Sequence, residues 1–394
     1  MIKRVFIVAA KRTAIGSFGG KLSALSATQL GGHAVAGLLN GTGLPAAEIQ
    51  EVLMGCALQA GMGQAPARQV VRYAGLADHT SATTINKVCS SGMKAVTMAC
   101  QSILLDDVHI SIAGGMESMS QVPYYVPSLR WGAKYGAQSL LDGVQHDGLV
   151  DVYSEQAMGN YGDLCAQRYE ISRTSQDDYA ISSYQRAQQT WAEGKFCSEV
   201  IPVPVKLRSG EMLVEQDEAY LKVDFEKLRG LKAAFSSDGT VTAGNASSLS
   251  DGAAALLLMS EDRARSLKMK PLAEIVAYTD VEQAPEWFTT SPSIATEKVL
   301  EKAGLQLNDI DYFEFNEAFS VVPLVNAQIL SIPRDKINIY GGAVSLGHPL
   351  GCSGARILVT LTNILRQEGG RYGLAAICNG GGGASAMIIK RVED

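Results

Sequence analysis

The chain has 394 residues, 46% hydrophobic and 19% charged, with a formal net charge of −6. At roughly 150 residues per domain this length suggests two or three packed units and excludes small folds that depend on disulfide or metal staples. The acidic balance provides no global positive field for nucleic acid or an anionic membrane, so an anionic ligand has to be held locally.

Hydrophobic patterning predicts strands at 5–10, 51–58, 109–114, 253–260, 272–279, 312–315, 374–379 and 384–390, with helical patterns such as 27–39, 65–74 and 93–105 between them. Strands alternating with helices predict an α/β fold. The stretch from Met119 to about Asn245 differs in texture. It holds Pro123, Pro127, Trp131, Trp191, Pro202 and Pro204 with scattered charges and one clear helix near 173–189, which reads as an insertion between two α/β halves. Those halves echo each other. Cys89-Ser90-Ser91-Gly92-Met93 opens one apolar helix and Cys352-Ser353-Gly354-Ala355-Arg356 another, and each helix is followed by a strand that runs into glycines, Gly114-Gly115 and Gly380 to Gly383. One unit used twice would set the two helices face to face.

Seven cysteines, an odd number with no Cys-x-x-Cys pair, argue against a disulfide framework or a zinc knuckle and for a reducing compartment. The longest aliphatic run, Ala253 to Met259, is far below the ~18 residues of a membrane span. The apolar stretch Val5–Ala10, between two basic pairs, is too short for a signal core. The expected location is the cytosol.

Cys89 lies where a strand-like segment (83–88) meets a helix, and free N–H groups with the positive helix end there favour a thiolate nucleophile. The alternative is a packed structural cysteine. His348, one of five histidines, sits in the glycine-rich turn Gly347-His348-Pro349 at a helix entrance, placed as an acid/base or as a loop cap. Cys378 ends a strand and precedes four glycines, whose exposed N–H groups suit an oxyanion or phosphate, or form a plain turn. Asn316 ends another strand and could cap the next helix. His348 with Cys352 lacks further metal ligands at suitable spacing. Gly-x-Gly-x-x-Gly after the first strand, a Walker lysine and a Gly-x-Ser-x-Gly elbow are all absent.

Together, Asn86 to Gly92, Gly114 to Met119, Asn316-Glu317-Ala318-Phe319, Gly341 to Gly354 and Cys378 to Gly383 resemble the thiolase family, the acetyl-CoA acetyltransferase branch in particular, over essentially the whole chain. The resemblance implies a thiolase fold: two duplicated α/β halves in a five-layered α-β-α-β-α sandwich. In chain order these are an N-terminal half (1–118 and 250–270), a loop domain at 119–249 that covers the site and binds coenzyme A, and a C-terminal half (271–394). It implies a homotetramer or homodimer. It also implies reversible Claisen condensation of two acetyl-CoA to acetoacetyl-CoA and CoA by a ping-pong mechanism, with coenzyme A thioesters as substrates and no required cofactor.

By the same resemblance Cys89 accepts the acetyl group, His348 takes its proton and Cys378 abstracts the α-proton of the second acetyl-CoA. Asn316 holds a water at that carbonyl, and the N–H groups of Cys89 and Gly380 receive the acyl oxyanion. Leu231, Phe235, Ala243 and Ser247 resemble the coenzyme A segment, Ala318 and Phe319 the pantetheine tunnel, and Leu149 and Met158 the acyl end. Two positions depart from relatives. Ala157 stands where many short-chain members carry His, and Tyr220 where some bacterial members carry an arginine near the phosphoadenosine, with Lys222, Lys227 and Arg229 as basic substitutes nearby. Tyr184 matches a tyrosine of potassium-activated members, which implies an ion held by carbonyls around Ala243, Gly244, Ala246 and Val344. The competing readings are a degradative 3-ketoacyl-CoA thiolase for longer chains and a non-catalytic acyl-CoA-binding protein. The four reactive side chains weigh against the latter.

Overall fold

The computed structural model describes residues 3–207 and 210–393. The chain runs through Val5–Thr13 (β1), Ala27–Leu39 (α1), Glu51–Gly55 (β2), Pro66–Tyr73 (α2), Ser81–Ile85 (β3), Ser91–Leu104 (α3) and Ile110–Ser118 (β4). There it leaves the sheet, makes Met158–Arg168 (α4) and Arg173–Ala192 (α5), and returns as Ser250–Ser260 (β5). The second half follows as Ala273–Glu282 (β6), Ser291–Ala303 (α6), Tyr312–Phe315 (β7), Val321–Leu330 (α7), Leu350–Gln367 (α8), Tyr372–Asn379 (β8) and Gly383–Arg391 (β9). Local chemistry sets several of these limits. At α1, the Ser26 side chain accepts from the Gln29 N–H while the Gln29 side chain accepts from the Ser26 N–H, a reciprocal cap. Two strands are shorter than patterning predicts. β2 stops at Gly55 because the Ala57 and Leu58 N–H groups go to the Glu117 carboxylate instead of a neighbouring strand, and β3 stops at Ile85 because the next residues form a side-chain-braced turn.

Both halves order their strands alike. Neighbours in the first run β3-β2-β4-β5-β1; in the second they run β7-β8-β9-β6, with Ile337 bridging Phe313 in parallel where the first half has its third strand. The pairs β3/β2 and β2/β4 are parallel, β4/β5 and β5/β1 antiparallel. Likewise β7/β8 is parallel, β8/β9 and β9/β6 antiparallel. The first strands of the halves meet where Phe6 and Ile7 pair with Glu274 and Ala273.

Between the sheets lie α3 and α8. Met93, Val96 and Ala99 share one core with Ile357, Leu358 and Leu361, with Leu53 and Leu256 of the first sheet, and with Ile377 and Met387 of the second. The outer face of the first sheet is covered by α1 and α2, that of the second by α6 and α7. The result is the five-layered sandwich of duplicated halves that the resemblance implies. β5, SDGAAALLLMS, is buried along ten of its eleven residues, as a strand between two helix layers must be. The segment between β4 and β5 is fastened to this body by buried charge: Arg12 Nε donates to Glu199 at 2.6 Å, and its Nη1 and Nη2 donate to Asp217 at 2.7 and 3.0 Å. Such pairs destabilise when one partner is removed.

The central helices touch through glycine. A Cβ at Gly354 would meet the Met93 amide nitrogen at 2.5 Å, and one at Gly92 the Ala355 nitrogen at 2.7 Å. Gly354→Ala is therefore expected to lose about 1–3 kcal/mol in urea unfolding. The control Gly230→Ala, whose Cβ meets nothing nearer than 3.6 Å, should stay within about 0.5 kcal/mol. Equal midpoints for the two variants would contradict the close approach.

Candidate active site

Four chain segments end at one cavity. After β3 the backbone turns sharply. Asn86 Oδ1 accepts from the Val88 N–H at 2.9 Å, and Ser91 Oγ accepts from the Lys87 N–H at 2.8 Å and donates to the Val88 carbonyl at 2.6 Å. This bracing holds Val88 at φ +49°, a conformation that a β-branched residue adopts only when its surroundings force it. Cys89 follows, half-buried, one residue before the cap of α3. On the other side Gly347, at φ +114°, delivers His348 to the entrance of α8. The His348 N–H is fixed to the Ser248 carbonyl at 3.2 Å. The end of β8 supplies Cys378 and then Gly380.

Cys89, His348, Cys378 and Gly380 line a single cavity of about 160 Å³. Asn316 stands one step behind it, its Nδ2 3.4 Å from His348 Nε2 and its Oδ1 buried without a hydrogen-bond partner. It is not a helix cap: α7 begins at Val321 after Ser320. Leu149, Met158, Phe235, Ala246, Ser247, Ala318 and Phe319 line the same cavity, with Phe235 and Phe319 edge to face at 6.1 Å. Leu231 and Ala243 lie outside it, at the surface, where Leu231 packs over Gly244. Tyr220 is buried and stacked on Trp191 at 6.1 Å, and it is not part of the cavity lining. Met119, Phe288 and Leu350 also line the cavity. Met119 and Leu350 fall within the motif blocks quoted above, but as ordinary apolar residues they, like Phe288, carried no separate signal as cavity lining.

Two buried carboxylates hold the framework. Glu117 accepts from the N–H groups of Ala57, Leu58 and Gly351 at 2.9, 3.2 and 2.9 Å, joining the end of β2 to the start of α8. Glu317 accepts from Tyr179 Oη, Ser183 Oγ and Asn338 Nδ2, each at 2.8 Å, and from the Val344 N–H at 3.0 Å. It thereby ties α5 and the short helix Ala343–Leu346 to the residue beside Asn316. Tyr184 packs with Val344 and Leu228, and Gly244 lies against Leu228.

The electrostatics correct one expectation. Burial pushes the Cys89 thiol up to about 12, against the pull of the Gly380 and Cys89 backbone N–H groups, and Glu117 adds to the rise. Loss of water outweighs the helix end, so the sulfur rests as a thiol and not as the expected thiolate. Burial, with Cys89 as a second cause, also raises Cys378. His348 is lowered to about 3, by burial first and by the Arg356 charge second. Near neutral pH all three side chains are uncharged. Among the described residues no group of three or more His, Cys, Asp or Glu could hold a metal ion, and no helix is long and apolar enough to cross a membrane.

This geometry has known counterparts. The model of the thiolase N-terminal domain matches residues 5–262 and that of the thiolase C-terminal domain residues 269–391. The chain belongs to the thiolase family. It is 50% identical over 393 residues to acetyl-CoA acetyltransferase IA of Candida tropicalis, covering 99% of this thiolase and 98% of that protein. It is 49% identical over 400 residues to acetyl-CoA acetyltransferase of Saccharomyces cerevisiae, covering all of both chains. Among solved structures, the Acat5 thiolase of Ascaris suum in complex with coenzyme A superposes with a TM-score of 0.94 at 41% identity, over 99% of this chain and 100% of that one.

A lowered pKa extends the neutral imidazole of this thiolase to more acidic solution. The pH profile of kcat/KM is therefore expected to show no acid limb from His348 near the ordinary histidine value of about 6.5. A limb there that vanishes in His348→Asn would contradict a buried, neutral imidazole.

Proposed function

We propose that this thiolase is an acetyl-CoA C-acetyltransferase, condensing two acetyl-CoA to acetoacetyl-CoA and CoA and running the reverse thiolysis, by a ping-pong route through acetyl-Cys89. The observation that carries this reading is the convergence of two cysteines, one histidine and a glycine N–H on a small apolar cavity. Its support from relatives is their names, acetyl-CoA acetyltransferase at about half identity over the full chain. Cys89 Sγ attacks the thioester carbonyl while His348 Nε2 takes its proton, and the backbone N–H groups of Cys89 and Gly380, which already favour negative charge on that sulfur, receive the oxyanion. The carbon–sulfur bond to coenzyme A breaks, and its sulfur leaves with the proton from His348.

In the second half-reaction Cys378 passes its own proton to His348 Nε2 and takes the α-proton of another acetyl-CoA, whose carbonyl is polarised by the Nε2–H so formed and by a water on the partnerless Asn316 Oδ1. The carbanion attacks acetyl-Cys89, the new carbon–carbon bond forms as the bond from the acetyl carbon to the Cys89 sulfur breaks, the α-proton stays on Cys378, and His348 gives its proton to the Cys89 sulfur, so that all three side chains return to their uncharged forms. The 119–249 segment covers the site and binds coenzyme A, since its residues Leu149, Met158, Phe235 and Ser247 form cavity wall. Seven free thiols suit a reducing cytosol. Exposed Leu129, Trp131, Tyr135 and Leu140 suit self-association into a dimer or tetramer.

A potassium ion fits the loop beside the site. Among the described residues no hydrogen bond reaches the carbonyls of Ala243, Gly244 or Ala246, and the bonds to the nearby Glu317 come from neutral donors only. Bound there, with Val344 and Tyr184 alongside, it would supply positive charge and brace the 243–247 loop that carries Ser247.

The longer-chain alternative keeps one supporting observation: Ala157, where many short-chain members carry His, directly precedes the cavity residue Met158. Thiolysis of acetoacetyl-CoA and of a longer 3-ketoacyl-CoA, side by side and with and without potassium, is expected to favour the four-carbon substrate in kcat/KM and to rise with potassium. Preference for the longer chain would turn the reading to the degradative enzyme. His348→Ala should depress both half-reactions, by at least the roughly 10²–10³ that one oxyanion donor supplies; a variant within about threefold of wild type would remove its assigned roles.

A further inference from the structure

The base role of His348 requires a bare Nε2, and a neutral imidazole carries its one proton on either nitrogen. What lies at the far nitrogen decides which. His348 Nδ1 is 2.6 Å from Ser353 Oγ, and both side chains are buried. Ser353 stands in the first turn of α8, and its hydroxyl also lies 3.0 Å from the Pro349 carbonyl four residues earlier. A carbonyl can only accept, and a hydroxyl has one hydrogen to give. With that hydrogen on Pro349, Ser353 Oγ turns a lone pair to the ring, and Nδ1 must be the N–H that fills it. Nε2 is then the acceptor, and facing it at 3.4 Å is the Asn316 Nδ2, a group that can only donate. The opposite tautomer would set an Nε2 hydrogen against that amide hydrogen.

We infer that Ser353 is a positioning residue of this thiolase: its hydroxyl holds His348 in the Nδ1–H tautomer and so keeps Nε2 free to take the Cys89 proton. The inference rests on the base role given to His348 above. No proton leaves through Ser353; when Nε2 is protonated, the Nδ1–H bond to Oγ stays in place and orients the resulting cation. Of the residue pairs that begin the two central helices, only this one has its hydroxyl on the histidine. In the duplicate, the helical Ser91 braces the turn before Cys89 instead.

The test uses the intact enzyme grown with ¹⁵N-labelled histidine, with the His348 signals identified by their loss in His348→Asn. The wild type is expected to show a protonated Nδ1 and an unprotonated Nε2. In Ser353→Ala the signals should move toward the Nε2–H form. The rate of acetyl transfer to Cys89 should fall roughly tenfold to a hundredfold, below the 10²–10⁴ of a whole acid/base, with KM changed little. Ser353→Thr, which keeps the hydroxyl, should restore most of the rate. An Nε2–H tautomer in the wild type, which needs no variant to fold, would overturn the inference. So would an unchanged tautomer in a folded Ser353→Ala. Absence of acetyl on Cys89 in the wild type would instead count against the base-and-nucleophile reading itself.

Discussion

The backbone contact between α3 and α8 is the constraint from which the site follows. Each helix belongs to a different half of the chain, and each has a polar side chain of the cavity just before its first turn, Cys89 on one and His348 on the other. Glycine at 92 and 354 lets the two helices approach until a methyl group would strike backbone nitrogen. With bulkier residues the helices would separate and the cavity between their entrances would widen. The same sandwich places the ends of β7 and β8 beside those entrances, which is why Asn316, Cys378 and Gly380 arrive at one place from strands that pair in parallel or antiparallel fashion with fixed register.

Burial then decides how protons can move. Cys89 and Cys378 are both raised and His348 is lowered, so no charge is stored in the resting site. An apolar wall of Leu149, Met158, Phe319 and Leu350 makes any separated charge expensive. The N–H groups of Cys89 and Gly380 are therefore the favoured places for negative charge, where the proposed acyl transfer would gather it. A site of this kind suits thioester exchange, where reactant and product bonds have similar energy and the barrier lies in charge development.

Much of this was legible in the residues. Strand and helix alternation, and the paired Cys-Ser-Ser-Gly and Cys-Ser-Gly helix openings, carried the α/β class and the duplication, and the motif resemblance carried the five layers and the reactive residues. Three things were not legible, each for a tertiary reason. The charge state of Cys89 depends on water exclusion by Met119, Phe288 and Leu350, which come from distant segments. Asn316 looks like a cap in its own segment and acquires its partner only when α8 packs beside β7. The burial of Tyr220 has no local sign, because nothing in its own segment foretells its stacking on Trp191.

In the proposed mechanism the two cysteines divide the work, Cys89 carrying the acyl group and Cys378 moving a carbon-bound proton. Mass spectrometry of a quenched mixture of Cys378→Ala with acetyl-CoA tests it most directly, read together with the condensation rate. An acetyl group is expected on Cys89 in that variant, with acetyl exchange nearly intact and acetoacetyl-CoA synthesis reduced by about 10²–10⁴-fold. No acetyl on Cys89, or acetyl found on Cys378 in the wild type, would contradict it.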